Sequence, residues 1–202
     1  MNAFLHSEIS VKLRGGDIED YYPIHTFIDC TKDICSDNRH RILHTMWGIN
    51  NIIIPIFGHT IINSSGKKVN VKDLCEQDHI LPDYRNKFIP TLSDFIEAID
   101  EKEIDLIDWK NKVERFHKKY ALNKPIEQLL ISPLAHTGKL VSLLITHNSW
   151  FLNFILPKVF KTNIFIDEIE LSPSIIFNNM NFELWMDNGS AKPQSAKKMN
   201  LI

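Results

Sequence analysis

Apolar side chains recur with a helical period over much of this chain. The clearest case lies within residues 103–120, where apolar positions step by 3 or 4 residues: Leu106, Trp109, Val113, Phe116 and Tyr120. Positions with this spacing share one face of an α-helix, so the segment is predicted to be an amphipathic helix that packs against a core. A shorter helix is predicted over residues 4–13, because two glycines follow it.

Proline, glycine and capping residues set the limits of further helices. Pro23 suits the first turn of a helix over residues 24–32, since the N–H that proline lacks has no partner there. A second helix is predicted over residues 38–54, where Pro55 and Gly58 end it. Three more are predicted over residues 73–79, 92–99 and 139–156.

Two regions are predicted to form β-strands. Residues 61–63 and 68–71 flank a turn-forming tetrad, Ser-Ser-Gly-Lys, which is typical of a β-hairpin. Residues 163–171 and 175–186 are rich in Ile and Phe and are bounded by turn residues, which favours a second hairpin. The predicted fold class is therefore mainly α, of the α+β type, with a small β-hairpin in a helical N-terminal domain and a C-terminal helical segment that ends in a β-hairpin.

The charged run at residues 100–103 indicates a boundary between two segments. We expect a helical domain rich in His and Asp over residues 1–100 and a helical and β extension, or second subdomain, over residues 101–187. The small, polar and basic residues at 188–202 predict a flexible tail.

Composition excludes several classes of protein. With 23 basic and 25 acidic residues the net charge is −2, which does not indicate a nucleic-acid partner. The most apolar stretches, 48–62 and 142–157, are shorter than the ~20 residues that a membrane span needs and carry polar residues. Three cysteines form an odd set without a disulfide framework. We expect a cytoplasmic protein that does not enter a membrane.

Histidines and carboxylates are concentrated in the first half of the chain. Six of the nine histidines precede residue 80. Side chains three or four residues apart share one face of a helix. Three clusters have this spacing, although a proline precedes the last residue of the third: His25 with Asp29, Asp37 with His40 and His44, and Glu76 with His79 and Asp83.

Neutral imidazoles and carboxylates from several helices suit a divalent metal, namely Zn, Mn, Fe or Ni. Pairs at helical spacing are a common way for one helix to supply two ligands. We predict that the ligands are His25, Asp29, His40, His44 and His79. Glu76 or Asp37 would position or deprotonate a water bound to the ion, and Arg39 or Arg41 would hold an anion.

Each of these residues also has a structural interpretation. Asp37 has an alternative role as a helix N-cap with no part in catalysis. Arg39 and Arg41 can instead pair with carboxylates at the surface. A single histidine on a helix is more often packed or solvated than bound to a metal.

A zinc site of Cys30 and Cys35 with His40 and His44 is a weaker alternative. Zinc fingers leave a longer stretch between their two ligand pairs, so that two elements can fold around the ion. Cys75 is most simply a small buried residue.

The first half of the chain resembles an uncharacterised domain family of bacteria and their phages. The resemblance covers about residues 6–96. It rests on a Pro-Ile-His…Asp segment, an Asp-x-Arg-His-Arg block followed by His and Gly, an Asn-Ser-x-Gly-Lys turn and a Glu…His…Asp segment. Here the matching residues are Pro23, Ile24, His25, Asp29, Asp37, Arg39, His40, Arg41, His44, Gly48, Asn63, Ser64, Gly66, Lys67, Glu76, His79 and Asp83.

The resemblance implies no activity. More distantly, the chain resembles the all-helical phosphohydrolases with a His…His-Asp…Asp metal set, although no His-Asp pair is contiguous in its helical region.

Two functional hypotheses follow. The first is a metal-dependent hydrolase acting on a phosphoester or nucleotide-like substrate, a small anionic ligand. The second is a non-enzymatic binding protein in which a metal or small ligand stabilises the fold. The resemblance to a family of bacteria and their phages is consistent with a phage-encoded protein that acts in the cytoplasm of a bacterial host. The aromatic residues within 101–187 would then contact a protein partner or a second copy of the chain.

Overall fold

A computed structural model describes residues 1–35, 38–99, 104–120, 122–162, 166 and 172–178, with the backbone alone at 38 and 177. The described segments are mainly helical, and the β-structure among them is one antiparallel pair of strands. This confirms the predicted class, mainly α with a small β-hairpin. The chain divides into two compact units between Thr91 and Leu92. In the described part, no helix combines the length and apolarity that crossing a membrane requires.

The first unit begins with two packed helices, α1 (Ala3–Arg14) and α2 (Ile18–Ile28). Gly15 ends α1 with φ 78°, as predicted from the glycine pair. The predicted start of the second helix at Pro23 is wrong. Asp17 and Asp20 form a capping box, so α2 starts at Ile18 and Pro23 lies inside it.

A broken helical segment follows α2. Two 3-10 helices, Cys30–Asp33 and Asn38–Leu43, precede a continuous helix over residues 46–57, here called α3. The predicted single helix over 38–54 is therefore wrong. Thr45 has extended backbone angles and its Oγ1 accepts the Gly48 N–H at 3.1 Å, so the chain turns at this point and a new helix begins.

The predicted hairpin is confirmed. Strands β1 (Thr60–Ile62) and β2 (Lys68–Asn70) pair antiparallel, with Ile61 opposite Val69. The turn is fixed to α2 because the Asp20 carboxylate accepts the backbone N–H of Ser64 at 3.0 Å and its hydroxyl at 2.9 Å.

The next helix, α4, runs over residues 71–83 and includes the π-helical segment Leu74–Ile80. It passes Pro82, where the sequence predicted an end. Proline removes the N–H that would bond to the carbonyl four residues earlier, that of Asp78. His6 Nδ1 lies 2.8 Å from this carbonyl oxygen and provides another donor. The Asp78 carbonyl, which Pro82 cannot bond, thus accepts a hydrogen bond from His6 of α1 instead.

The second unit contains short and long helices: α5 (Leu92–Ile96), α6 (Leu106–Lys119), α7 (Lys124–Thr137), the 3-10 helix Leu140–Ile145, α8 (residues 151–160) and α9 (Ser174–Asn178). Helix α6 confirms the amphipathic prediction, with Trp109 and Val113 buried. Helix α7, which Asn123 caps, was not among the predicted elements.

Two predictions for the second unit need correction. The predicted helix over 139–156 is divided into the 3-10 helix and α8. Asn148 closes the turn between them, because its Nδ2 donates to Leu144 O at 2.7 Å and its Oδ1 accepts the Phe151 N–H. Residues 174–178 are helical, so no strand begins at 175. The rest of the predicted C-terminal hairpin, and the tail over 188–202, lie outside the described residues.

Candidate metal centre

A buried group of side chains, here called the His/Asp cluster, lies in the first unit. Helix α1 contributes one histidine, α2 and the residue after it contribute two members, and the segment between α2 and α3 and helix α4 contribute two each. The members are His6, His25, Asp29, His40, His44, His79 and Asp83. Exposure of each histidine is 5% or less, so these polar groups lie away from water.

Four of these residues converge on one point. One ligand atom from each of Asp29, His44, His79 and Asp83 lies within 4.8 Å of the other three. The two imidazole Nε2 atoms, of His44 and His79, are 3.1 Å apart. His44 Nε2 lies 3.4 Å from Asp29 Oδ1 and 3.4 Å from Asp83 Oδ2. His79 Nε2 lies 3.6 Å and 3.8 Å from the same two oxygens.

The nitrogen–oxygen separations suit a shared cation better than direct hydrogen bonds, whereas the 3.1 Å between the two Nε2 atoms fits either arrangement. Nitrogen–oxygen hydrogen bonds have lengths of about 2.7–3.2 Å. Two ligands that are each about 2.1 Å from one ion, at angles of about 90–110°, lie about 3.0–3.4 Å apart. The observed nitrogen–oxygen distances of 3.4–3.8 Å are too long for the first arrangement and need only a slight contraction for the second. The cluster could therefore hold a metal ion.

The two carboxylates are held in the charged form that a metal requires. Burial alone would raise the pKa of Asp29, but the imidazoles of His40, His44 and His79 outweigh it and keep the pKa well below its ordinary value. Burial would likewise raise the pKa of Asp83, but the imidazoles of His44 and His6 outweigh it, so this pKa is also lowered. Among the described residues, Asp29 Oδ1 has no hydrogen bond of good geometry.

A chain of hydrogen bonds behind His79 determines which of its ring nitrogens carries the proton. Arg14 binds the Asp78 carboxylate through Nε at 2.6 Å and Nη2 at 2.9 Å. Asp78 Oδ2 accepts the Ser10 hydroxyl at 2.8 Å, so Ser10 Oγ accepts from His25 Nε2 at 2.9 Å. His25 Nδ1 is then an acceptor for the N–H at His79 Nδ1, 2.9 Å away. The lone pair of His79 is therefore at Nε2, which faces the cluster.

The pKa shifts agree with this assignment. Burial lowers the pKa of His25 to about 3, and the neighbouring His6 adds to the effect. Burial also holds the pKa of His79 well below its ordinary value. Both rings are thus neutral at pH 7, the state in which imidazole binds a metal.

Positive groups lie at the outer oxygens of both carboxylates. Lys32 Nζ is 2.6 Å from Asp29 Oδ2, and the Met1 ammonium is 2.7 Å from Asp83 Oδ1. Arg41 Nη1 donates to the Asp83 backbone carbonyl at 3.3 Å. These contacts place positive charge against both carboxylates.

The structure brings some of the predicted metal ligands together and places others apart. Asp29, His44 and His79 share the converging point, and His40 Nε2 lies beside it, 3.5 Å from Asp29 Oδ1. His25, predicted as a ligand, is instead behind His79, with both ring nitrogens in hydrogen bonds.

Glu76, predicted as a catalytic residue, lies off the cluster and pairs with Lys72 at 3.7 Å. A π-helix takes more residues per turn than an α-helix, so three steps along α4 do not bring Glu76 onto the face of His79. Arg41 is near the cluster, Arg39 is half-buried, and Asp37 lies outside the described residues.

Two members of the cluster were missing from the predicted site. Asp83 has helical spacing from His79, but Pro82 predicted that the helix would end before it. His6 gave no spacing signal, because it belongs to α1 and meets the cluster only through tertiary packing.

The alternative with cysteine ligands gains no support. Burial raises the pKa of the Cys30 thiol to about 12, so the thiolate that zinc requires is disfavoured. Cys75 is fully buried and its pKa is raised for the same reason.

Comparison with known proteins identifies a family. A family model described as "Domain of unknown function (DUF6915)" matches residues 1–104, a segment that contains the whole cluster. No curated protein matches the chain, and no solved structure does.

Proposed function

This chain belongs to the DUF6915 family, a domain of unknown function, and from the chemistry of its cluster we propose that it is a metal-dependent hydrolase acting on a phosphoester or nucleotide-like substrate. One observation carries the proposal: Asp29, His44, His79 and Asp83 direct two oxygens and two nitrogens at one point. Such a mixed set suits Mn, Fe, Zn or Ni.

Four protein ligands leave room for water or substrate on a five- or six-coordinate ion. A bound divalent ion lowers the pKa of a coordinated water towards neutrality. It also offers positive charge to the oxygens of a phosphoryl group, whose transfer depends mainly on positioning and electrostatic stabilisation.

The cationic side chains around the cluster favour an anionic substrate. Lys32 is about one-third exposed and lies against Asp29, within reach of the surrounding solvent. Arg41 is held beside the cluster by its bond to the Asp83 carbonyl and by its position over the Tyr84 ring, 5.1 Å from the ring centroid. A guanidinium fixed in this way is suited to bind phosphate oxygens.

His40 is the best-placed base for the reaction. Its Nε2 is close to Asp29 Oδ1 at 3.5 Å but is not one of the four converging atoms. In the proposed step, His40 takes a proton from water as the water oxygen bonds to phosphorus. The bond from phosphorus to the ester oxygen breaks, and that oxygen takes up the proton from His40.

The experiment is a hydrolysis assay of the full chain after loading with Mn, Fe, Zn or Ni. Nitrophenyl phosphate and nucleotides are the substrates. We expect turnover that chelation removes and that the matching metal restores. We expect His40→Ala to lower kcat by about 10²- to 10⁴-fold while it retains the metal. His59→Ala, an exposed histidine of the same unit, is the control. A protein that binds metal but hydrolyses no phosphoester would contradict the proposal.

A non-enzymatic, metal-stabilised binding protein is the second candidate. The burial of the cluster favours it, because His44 and His79 are fully buried and ammonium groups cover the outer carboxylate oxygens. Substitution with Co(II) separates the two functions. If azide or phosphate changes the visible spectrum of the Co(II) protein, the ion has an open position, as the hydrolase requires. An unchanged spectrum at saturating anion supports the closed, structural site.

A further inference from the structure

We propose a second metal position next to the first, bound by His6 and by the outer oxygen of Asp83, so that the Asp83 carboxylate bridges two ions. The inference rests on the proposed metal centre and extends it to a two-metal site. The juxtaposition of His6 Nε2 and Asp83 Oδ1, 3.3 Å apart in the buried cluster, carries it.

His6 is oriented as a ligand. The side chain is fully buried, and its Nδ1 lies 2.8 Å from the Asp78 carbonyl. A carbonyl only accepts, so Nδ1 donates the proton in this contact, and Nε2 is the nitrogen that is left to bind a metal ion. A carbonyl that binds the far nitrogen is the usual support of a metal-bound histidine. Pro82 makes this carbonyl available by removing the helical donor.

His6 Nε2 has no hydrogen bond among the described residues, although it is buried. This nitrogen lies 3.3 Å from the Asp83 carboxylate. A lone pair that faces a carboxylate oxygen at 3.3 Å is repulsive unless a proton or a cation lies between them. The Met1 ammonium lies 2.7 Å from the same oxygen, so a metal ion bound at this position would have to displace it.

The spacing of the rings suits two adjacent ions. The imidazoles of His6 and His79 stack at 3.8 Å between centroids and are within 14° of parallel. Their Nε2 atoms point to the same side, since one approaches Asp83 Oδ1 and the other Asp83 Oδ2. Ions bound by the two rings would thus lie about one ring spacing apart, close to the ~3.5–4 Å of two-metal hydrolytic sites.

Two ions bridged by a carboxylate change what the site can do. One ion can bind the attacking water while the other binds the leaving oxygen, and both stabilise the phosphoryl group between them. The substrate class that fits this arrangement is a phosphomonoester or phosphodiester that spans both ions. A single ion with four protein ligands would lack the second anchor.

The test measures the metal content and the Mn(II) electron paramagnetic resonance of the full chain. We expect two Mn(II) per chain with an exchange-coupled spectrum. The variant His6→Asn keeps an amide N–H near the Asp78 carbonyl but removes the Nε2 ligand, so we expect one ion and an uncoupled spectrum. His59→Ala should retain two.

Other outcomes overturn the inference separately from the proposed function. One ion in the wild-type chain, or two coupled ions in His6→Asn, overturns the second position and leaves the first. No bound ion in the wild type overturns both. The titration of the wild-type chain alone decides the number of ions, so the result does not depend on whether His6→Asn folds.

Discussion

His25 and His79 meet through their Nδ1 atoms, which lie 2.9 Å apart. The contact occupies the Nδ1 atom of each ring, so neither Nδ1 is free to bind another group. It also determines the tautomer of both rings. Because the contact continues through a hydroxyl to a carboxylate and a guanidinium, the orientation of a candidate metal ligand depends on residues of α1 far from it in sequence.

The first prediction concerns the hydroxyl in this chain of hydrogen bonds. Ser10→Ala removes the acceptor of His25 Nε2, so the tautomer of His79 is no longer enforced. We expect metal affinity to fall about 10- to 100-fold, measured by isothermal titration of the chelated protein.

Ser7 is a matched control for this variant. It is also buried on α1, but its hydroxyl donates to the Ala3 carbonyl of its own helix, at 2.8 Å. Ser7→Ala should retain the wild-type affinity. Equal losses in the two variants would show that packing of α1, and not the hydrogen-bond chain, controls affinity.

The second prediction compares two residues of α4. His79→Ala should abolish the stabilisation that metal gives the chain, whereas Glu76→Ala should leave it intact, because only His79 faces the cluster. At a metal concentration of 100 Kd the wild type should gain about 2.7 kcal/mol in free energy of unfolding. Thermal unfolding with and without chelator measures this gain, and a metal-dependent shift in His79→Ala would refute the assignment of this ligand.

The third prediction concerns the approach of α3 to the segment before it. A Cβ at Gly48 would lie 2.4 Å from the backbone oxygen of Leu43, the neighbour of His44. Gly48→Ala should therefore lower the free energy of unfolding by about 1–3 kcal/mol. It should also weaken metal binding, because the backbone segment that carries His44 must move.

Urea unfolding and metal titration check both effects. Asn50→Ala, at an exposed position of the same helix, should change the free energy of unfolding by no more than about 0.5 kcal/mol. Wild-type stability in Gly48→Ala would mean that the contact with Leu43 is not tight.

The fourth prediction concerns pH and the second unit. Burial lowers the pKa of His147 to about 3, and the neighbouring His117, whose Nε2 is 2.9 Å from His147 Nε2, adds to the effect. The unfolded chain, with a pKa of about 6.5, binds the proton more readily. The contribution of His147 to stability is therefore full above pH 6.5 and decreases as pH falls below it.

Between pH 7 and pH 5 this histidine should cost the wild type about 2 kcal/mol in free energy of unfolding. Urea unfolding of His147→Gln should show a pH dependence smaller by about that amount, while His136→Gln, at an exposed position of the same unit, should behave as the wild type. A pH dependence unchanged by His147→Gln would indicate that the ring is protonated or solvated in the folded chain.

Periodicity and turn chemistry predicted much of the fold. Helix α6 follows from one apolar stripe, and the hairpin follows from a turn tetrad between short β-prone runs. The errors came from competition between local signals. At Pro23 the sequence predicted a helix start, but the capping box that begins at Asp17, six residues earlier, starts the helix instead. At Pro82 it predicted a helix end, but His6 binds the Asp78 carbonyl and the helix continues.

Helical spacing named several residues of the cluster, although not always for the reason that the structure shows. His40 and His44 lie on and just after a 3-10 helix and not on one α-helix, whereas His25 and Asp29 do lie one turn apart at the end of α2. Spacing could not show that His25 stands behind another ring, or that His6 joins from α1, because both facts depend on how helices pack. The π-helical widening of α4, which separates Glu76 from His79, also has no simple sequence signal.

Every donor of the His/Asp cluster belongs to the unit that ends at Thr91, and all of them lie inside the segment that defines the family. The residues of the proposed metal site can thus be inherited together, within one segment of the chain. Lineages that exchange the later half of the chain for another would lose no donor atom, so relatives with unlike C-terminal halves should still carry the same seven side chains.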